Sequence, residues 1–168
     1  MVSPKIFGIV NVTTDSFSDG GRYFHAENAV AHAEQLRADG ADVLDVGAES
    51  THPDAEDVAA AEEIVRLEPV VTAMVKQGAE VSIDTTKADV MREMVALGAH
   101  WLNDVNGFRD ADALRVAGQC EDHVRFVVMY SRSKSARADR QSSGAAGLLA
   151  ELSDFFTERR RAFAAVGV

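Results

Sequence analysis

This 168-residue sequence predicts an α/β fold on a parallel sheet, from three observations. Short strands and amphipathic helices alternate along the chain. The strands are apolar on consecutive residues, as strands covered on both faces are. A unit of helix, Gly-Ala, one residue, apolar strand and Asp occurs three times, with strands VLD at 43–45, VSID at 81–84 and WLND at 101–104. Repetition of strand and helix lays the strands side by side in parallel, with the crossover helices outside.

The elements follow in order. Ile6 to Asn11 (IFGIVN) is the first strand. Ala29, Val30, Ala33 and Leu36 recur at helical spacing and mark the first helix, which Gly40-Ala41 stops before the second strand. Ile64, Leu67, Val71 and Val75 mark a second helix, and Gly78-Ala79 precedes the third strand. Val90, Met94, Val95 and Leu97 mark a third, with Gly98-Ala99 before the fourth strand. Glycine suits these positions because it takes positive φ at a helix C-terminus without a Cβ clash. A fourth helix spans Ala111 to Cys120, and Phe126 to Tyr130 (FVVMY) is the fifth strand. The last helix places Leu148, Leu152, Phe155, Arg159 and Phe163 on or near one face, and Arg159 to Arg161 are expected to complement its dipole and face water.

Four apolar strands end in Asn11, Asp45, Asp84 and Asn103-Asp104. Unpaired amides and carboxylates are costly in a core, so these strand ends need another explanation. A doubly wound dinucleotide fold would carry G-x-G-x-x-G after the first strand, and NVTTDSFSDGG does not match it. A TIM (β/α)8 barrel explains the strand ends better, because its active site is built at the C-terminal ends of the strands. About five of the eight βα units are present, in one domain spanning 1–168.

Composition excludes other classes. A net charge of −10 argues against nucleic acid as a partner, which usually leaves a basic footprint. No apolar run approaches the ~20 residues that span a bilayer, so no membrane association is expected. The N-terminal residues lack a signal-peptide pattern, and the single Cys120 excludes an internal disulfide and a multi-cysteine metal site. A cytoplasmic location is the expectation. Ser131 to Gly144, with four cationic side chains and almost no apolar ones, reads as a solvated loop; the alternative is a basic lip that draws an anionic substrate.

GIVNVTTDSFSDGG at the first strand, GAESTHPDA at 47–55, SIDT at 82–85 and LNDVNG at 102–107 together resemble the dihydropteroate synthase family, in order and spacing through the whole chain. HPDA, LNDVNGF and VVMYS look most like its sulfonamide-insensitive branch. The resemblance implies a TIM barrel that condenses 6-hydroxymethyl-7,8-dihydropterin diphosphate with p-aminobenzoate to give dihydropteroate and pyrophosphate, with Mg²⁺. It implies Asp84 and Asn103 as the pterin-binding pair, since a carboxylate and an amide can both pair in plane with the pterin's donor and acceptor edge. Asn11 matches the metal ligand and, with His52, the diphosphate site. Phe17, Thr51 and Pro53 match positions that enclose p-aminobenzoate. No nucleophile or general base is implied: the substrate amine attacks, and the protein positions it and assists departure of the diphosphate.

Each residue has a simpler reading beside this one. Asp84 could cap the helix beginning near Lys87, Asn103 could satisfy backbone groups at a strand end, Asn11 could be a turn residue and Phe17 a loop anchor. Asp45 and Asp104 read as structural residues that position neighbouring loops. His52 stands where most family members carry Arg, and Met129-Tyr130 replaces the family's usual Met-His, so Tyr130 receives no role. The family's sixth-strand Asp-Pro-Gly, seventh-strand Ser-Arg-Lys and eighth-strand Arg-x-His lie beyond Val168 in its pattern. The expectation is therefore a barrel completed in a homo-oligomer or by a complementary fragment. The alternatives are a non-catalytic pterin-binding module and an inactive truncated remnant.

Overall fold

The structure, a computed structural model, describes residues 4–12, 22–49, 57–131 and 147–168, with residues 22–25 as backbone alone. Five strands, β1 (Phe7–Asn11), β2 (Val43–Gly47), β3 (Val81–Asp84), β4 (Trp101–Asp104) and β5 (Arg125–Val128), form one sheet in the order β1-β2-β3-β4-β5. Every neighbouring pair is parallel. Each strand is followed by a helix: α1 (Arg22–Ala38), α2 (Ala60–Lys76), α3 (Ala88–Ala96), α4 (Ala111–Ala117) and α5 (Leu148–Ala165). This is a (β/α)5 portion of a TIM barrel, as the alternating pattern predicts.

The Gly-Ala pairs are Schellman motifs. Gly40, Gly78 and Gly98 take φ of 107°, 71° and 99°. The N–H of the following alanine returns to the preceding turn: Ala41 to Leu36 O at 2.9 Å, Ala79 to Met74 O at 3.0 Å, Ala99 to Met94 O at 3.0 Å. Each pair satisfies orphan carbonyls and turns the chain straight into the next strand.

Alternate strand residues face opposite sides of the sheet. Val10, Leu44, Val46, Val81, Ile83 and Leu102 point to the helices and are fully buried with Leu67, Val70, Val71 and Met74 of α2 and Val90, Met91 and Met94 of α3. The other side, concave in a barrel, carries Phe7, Ile9, Asn11, Asp45, Ser82, Asp84, Trp101, Asn103 and Arg125. Curvature is visible at its lower end, where the Phe7 and Trp101 rings meet edge to face at 5.4 Å. Three strand spacings would separate them by about 14 Å in a flat sheet. Below them Glu80 accepts from Trp101 Nε1 at 2.8 Å, Arg125 Nη1 at 2.9 Å and Lys5 Nζ at 2.6 Å, joining residues next to or on four strands.

Several expectations shift. The second strand does not end at Asp45 but runs on to Gly47, in register with Asn11 and Asp84, and the fourth helix ends at Ala117 rather than Cys120. The fifth strand runs from Arg125 to Val128 rather than from Phe126 to Tyr130, because Arg125 pairs with Trp101 and Val128 with Asp104. Arg159 does not face water: it is buried, and its Nη1 donates to the Phe108 carbonyl at 2.6 Å. It lies on the buried stripe of α5 with Phe155 and Phe163, and a guanidinium can enter such a stripe when a carbonyl receives it. Among the described residues no helix is long and apolar enough to cross a membrane.

Candidate active site

One row of register partners crosses the sheet at its C-terminal rim. Asn11 pairs with Gly47, Gly47 with Asp84, Asp84 with Asn103, and Asn103 with Val127. Partners in such a row share a face, so three of the sequence-identified polar residues stand together on the concave side. Gly47 matters by what it lacks. A Cβ there would lie 3.6 Å from Asp84 Oδ2, so glycine leaves the space between Asn11 and Asp84 clear.

Asp84 is largely buried, and its carboxylate has no hydrogen-bond partner among the described residues. Burial first, then the charges of Asp45, Glu63 and Asp104, push its pKa up to about 7. It is not a helix cap: Lys87 holds the N-cap position of α3 without a side-chain bond, and Thr85 Oγ1 accepts from the Lys87 N–H at 3.2 Å. A carboxylate that caps nothing, pairs with no described residue and is costly to ionise has the properties common to functional-site groups.

Asn103 is held from below. Its Nδ2 donates to Asp45 Oδ2 at 3.0 Å, reaching over β3 from β4 to β2. Asp45 Oδ1 and Ser82 Oγ, on register-paired residues beneath the row, are buried without a partner. Asp104 is different. It is fully buried on the helix side, where its carboxylate accepts the N–H of Asn106 and of Phe108, each at 2.7 Å. Burial raises its pKa, against the pull of those two bonds. Asp104 therefore shapes the β4–α4 turn, in which Gly107 and Phe108 have φ of 66° and 55°. Tyr130 donates to Glu151 Oε2 at 2.8 Å and packs on Phe155, a role in seating α5.

Asn11 is exposed at the end of β1. Phe17, Thr51, His52 and Pro53 lie outside the described residues. Among the described residues no three His, Cys, Asp or Glu side chains converge to hold a metal. A single neutral oxygen from Asn11 suits Mg²⁺ only where a bound diphosphate and water complete the shell.

Reading the sequence missed one cluster. Lys87 bonds Glu49 and, at 2.8 Å, Glu63 Oε2. Glu63 has no exposed surface, and its Oε1 has no partner. Beside Glu62 at the start of α2 it resembles an acidic first turn facing solvent. Its spacing from Leu67, Val70, Val71 and Met74, all buried on α2, was the available signal.

The family model described as pterin binding enzyme matches residues 7–168. The chain belongs to the dihydropteroate synthase family of pterin-binding enzymes. It is 38% identical over 164 residues to dihydropteroate synthase type-3 of Escherichia coli, covering 98% of this chain and 62% of that one. It is 41% identical over 148 residues to dihydropteroate synthase of Mycobacterium leprae, covering 88% of this chain and 52% of that one. The chain thus spans somewhat over half the length of these curated relatives. Among solved structures, Xanthomonas albilineans dihydropteroate synthase with 4-aminobenzoic acid superimposes with a TM-score of 0.85 at 40% identity, covering 98% of this chain and 57% of that one. The Anaplasma phagocytophilum enzyme with bound 6-hydroxymethylpterin-monophosphate gives 0.84 at 36% identity, covering 98% and 63%. The first five strands of this family's barrel thus carry the row from Asn11 to Asn103.

Proposed function

We propose that this chain forms the pterin-binding side of a dihydropteroate synthase, condensing 6-hydroxymethyl-7,8-dihydropterin diphosphate with p-aminobenzoate to give dihydropteroate and pyrophosphate in a completed barrel. The observation that carries this reading is the Asp84–Asn103 pair. A carboxylate with no partner among the described residues stands beside an amide already oriented by Asp45. The pterin edge offers N–H donors beside a carbonyl acceptor; an ionised Asp84 accepts the donors, and Asn103 retains a free N–H and its carbonyl oxygen. Glycine at 47 keeps a side chain out of the row between Asn11 and Asp84.

The chemistry asks little more of these residues than position. Holding the pterin by its edge fixes its methylene carbon for attack by the aromatic amine, which converts a bimolecular step into an oriented one. Thr51 and Pro53, with Phe17, are the residues for p-aminobenzoate, and His52 with Asn11 those for the diphosphate. Mg²⁺ bound at the Asn11 carbonyl oxygen would neutralise charge on the leaving diphosphate. We place this chemistry in a homo-oligomer in the cytoplasm.

Calorimetric titration with 6-hydroxymethylpterin tests the reading. Asp84→Ala should weaken binding more than tenfold, which is about 1.4 kcal/mol, because a buried ligand donor loses its charged acceptor. Asn103→Ala should weaken it in the same direction. Unchanged affinity in folded variants sinks the assignment.

A further inference from the structure

The β2–α2 connection begins after Gly47, and side chains secure both its ends. Arg66 of α2 donates through Nη1 to the Ala48 carbonyl at 3.1 Å. Glu49 Oε1 accepts from the Val58 N–H at 3.4 Å, so one side chain bonds across the connection. The other oxygen of Glu49 receives the Lys87 ammonium, which also donates to Glu63 at 2.8 Å. Lys87 sits at the head of α3, three residues beyond Asp84. One ammonium therefore ties the start of the connection and the buried face of α2 to the end of β3.

A buried carboxylate without a cation costs several kcal/mol, so Glu63 alone gives Lys87 a structural reason to exist. Glu49 is the informative partner. A counter-ion for Glu63 needs no second bond to the connection, yet Lys87 makes one. Partial burial of Lys87 opposes its charge, but the two carboxylates together hold its pKa above the usual lysine value. The Lys87 ammonium therefore stays charged near neutrality.

We propose that Lys87 is a positioning residue for the p-aminobenzoate side of the site, holding the stem of the β2–α2 connection against the Asp84 end of β3. The proposal rests on the functional reading above, in which residues 51 and 53 of that connection serve p-aminobenzoate. It assigns Lys87 no contact with substrate: its effect passes through Glu49.

The test uses the whole chain in four forms: wild type, Lys87→Met, Lys87→Arg and Glu49→Gln. Hydrogen exchange at the Val58 amide is the first readout. Affinity for p-aminobenzoate, with saturating 6-hydroxymethylpterin, pyrophosphate and Mg²⁺, is compared with affinity for 6-hydroxymethylpterin alone as the second. Lys87→Met and Glu49→Gln should each speed Val58 exchange about tenfold or more while β3 and β4 stay protected. Each should weaken p-aminobenzoate about tenfold and leave the pterin within about threefold. Lys87→Arg should restore both. Should Lys87→Met not fold, the double variant Lys87→Met/Glu63→Gln removes the cation without stranding a buried charge, and the same pattern is expected. Unchanged Val58 exchange overturns the clamp, and a parallel loss of both ligands overturns the positioning role. Failure of wild type to bind either ligand overturns the functional reading, and with it the positioning role, while the exchange arm separately decides the clamp.

Discussion

Asn103 Nδ2 donates to Asp45 Oδ2 at 3.0 Å across the intervening strand β3. This bond decides which end of the amide is spent. Asp45 takes one amide N–H, which leaves the Asn103 carbonyl oxygen and the second N–H unspent. Asp45 also raises the pKa of Asp84, so it acts on both members of the pair at once. Asp45→Ala should therefore do two things in a pterin titration. Affinity at high pH should fall severalfold through loss of Asn103 orientation, and the midpoint of the pH dependence should move down through loss of a neighbouring charge. A variant that changes neither shows that Asp45 only fills the space below the row.

The pH dependence follows from Asp84. Its pKa of about 7 leaves the carboxyl half protonated near neutrality. In the proposed pterin site a protonated carboxyl would present a donor to the pterin's donors, so the ionised form is the one expected to bind. Affinity for 6-hydroxymethylpterin should rise about tenfold per pH unit below that midpoint and level off above it. Asp84→Asn should bind weakly at every pH without this slope. Calorimetry from acid to mildly alkaline buffer, with wild type and variant side by side, cancels the ligand's own titration. A slope that survives in Asp84→Asn places the titrating group elsewhere.

The same shift predicts a cost in stability. The folded-state pKa of Asp84 is raised from the ordinary carboxylate value to about 7, so the folded state holds the proton more tightly than the unfolded state. Its contribution is fully present below about pH 4 and is lost as pH rises towards 7, where a partnerless buried charge forms. Asp84→Asn escapes that loss. It should be more stable than wild type at mildly alkaline pH, by an amount on the order of 2–4 kcal/mol, with the gain shrinking to nothing in acid. Urea unfolding at several pH values reads this directly, and parallel curves for the two proteins exclude it.

The limits of reading the sequence show in particular residues. Strand ends were legible because an apolar run that finishes in Asp or Asn breaks a strong rule: β1, β3 and β4 end at the predicted residues, whereas β2 runs two residues past Asp45 to Gly47. The Gly-Ala stops were legible because positive φ leaves few residue choices. Glu63, Lys87 and Arg159 were not. A charged residue on an amphipathic helix reads as a solvated face, and only tertiary packing shows that Glu63 meets Lys87 and Arg159 meets the Phe108 carbonyl. Asp104 was separable from Asp84 only by direction. Both end strands, but Asp84 faces the concave side while Asp104 turns to the helices and accepts two backbone N–H groups.

The last prediction concerns Asn11 and the metal. Asn11 stands at the exposed end of β1, one strand from Gly47 and two from Asp84, and offers a carbonyl oxygen without charge. With no cluster of three acidic or histidine ligands among the described residues, any Mg²⁺ here depends on the diphosphate for most of its binding. Two ligands then separate cleanly. Chelation of Mg²⁺ should abolish the extra affinity that pterin diphosphate has over 6-hydroxymethylpterin and leave the free pterin unaffected. Asn11→Ala should lower the Mg²⁺-dependent part alone, by about tenfold, since one neutral ligand oxygen is removed while diphosphate and water remain. Asp84→Ala should weaken both ligands equally, because the pterin edge proposed to meet it is common to them. Titrations of both ligands, with Mg²⁺ and with chelator, give the comparison. If chelation weakens the free pterin as much as the diphosphate, the metal supports the fold and Asn11 is not its ligand for catalysis.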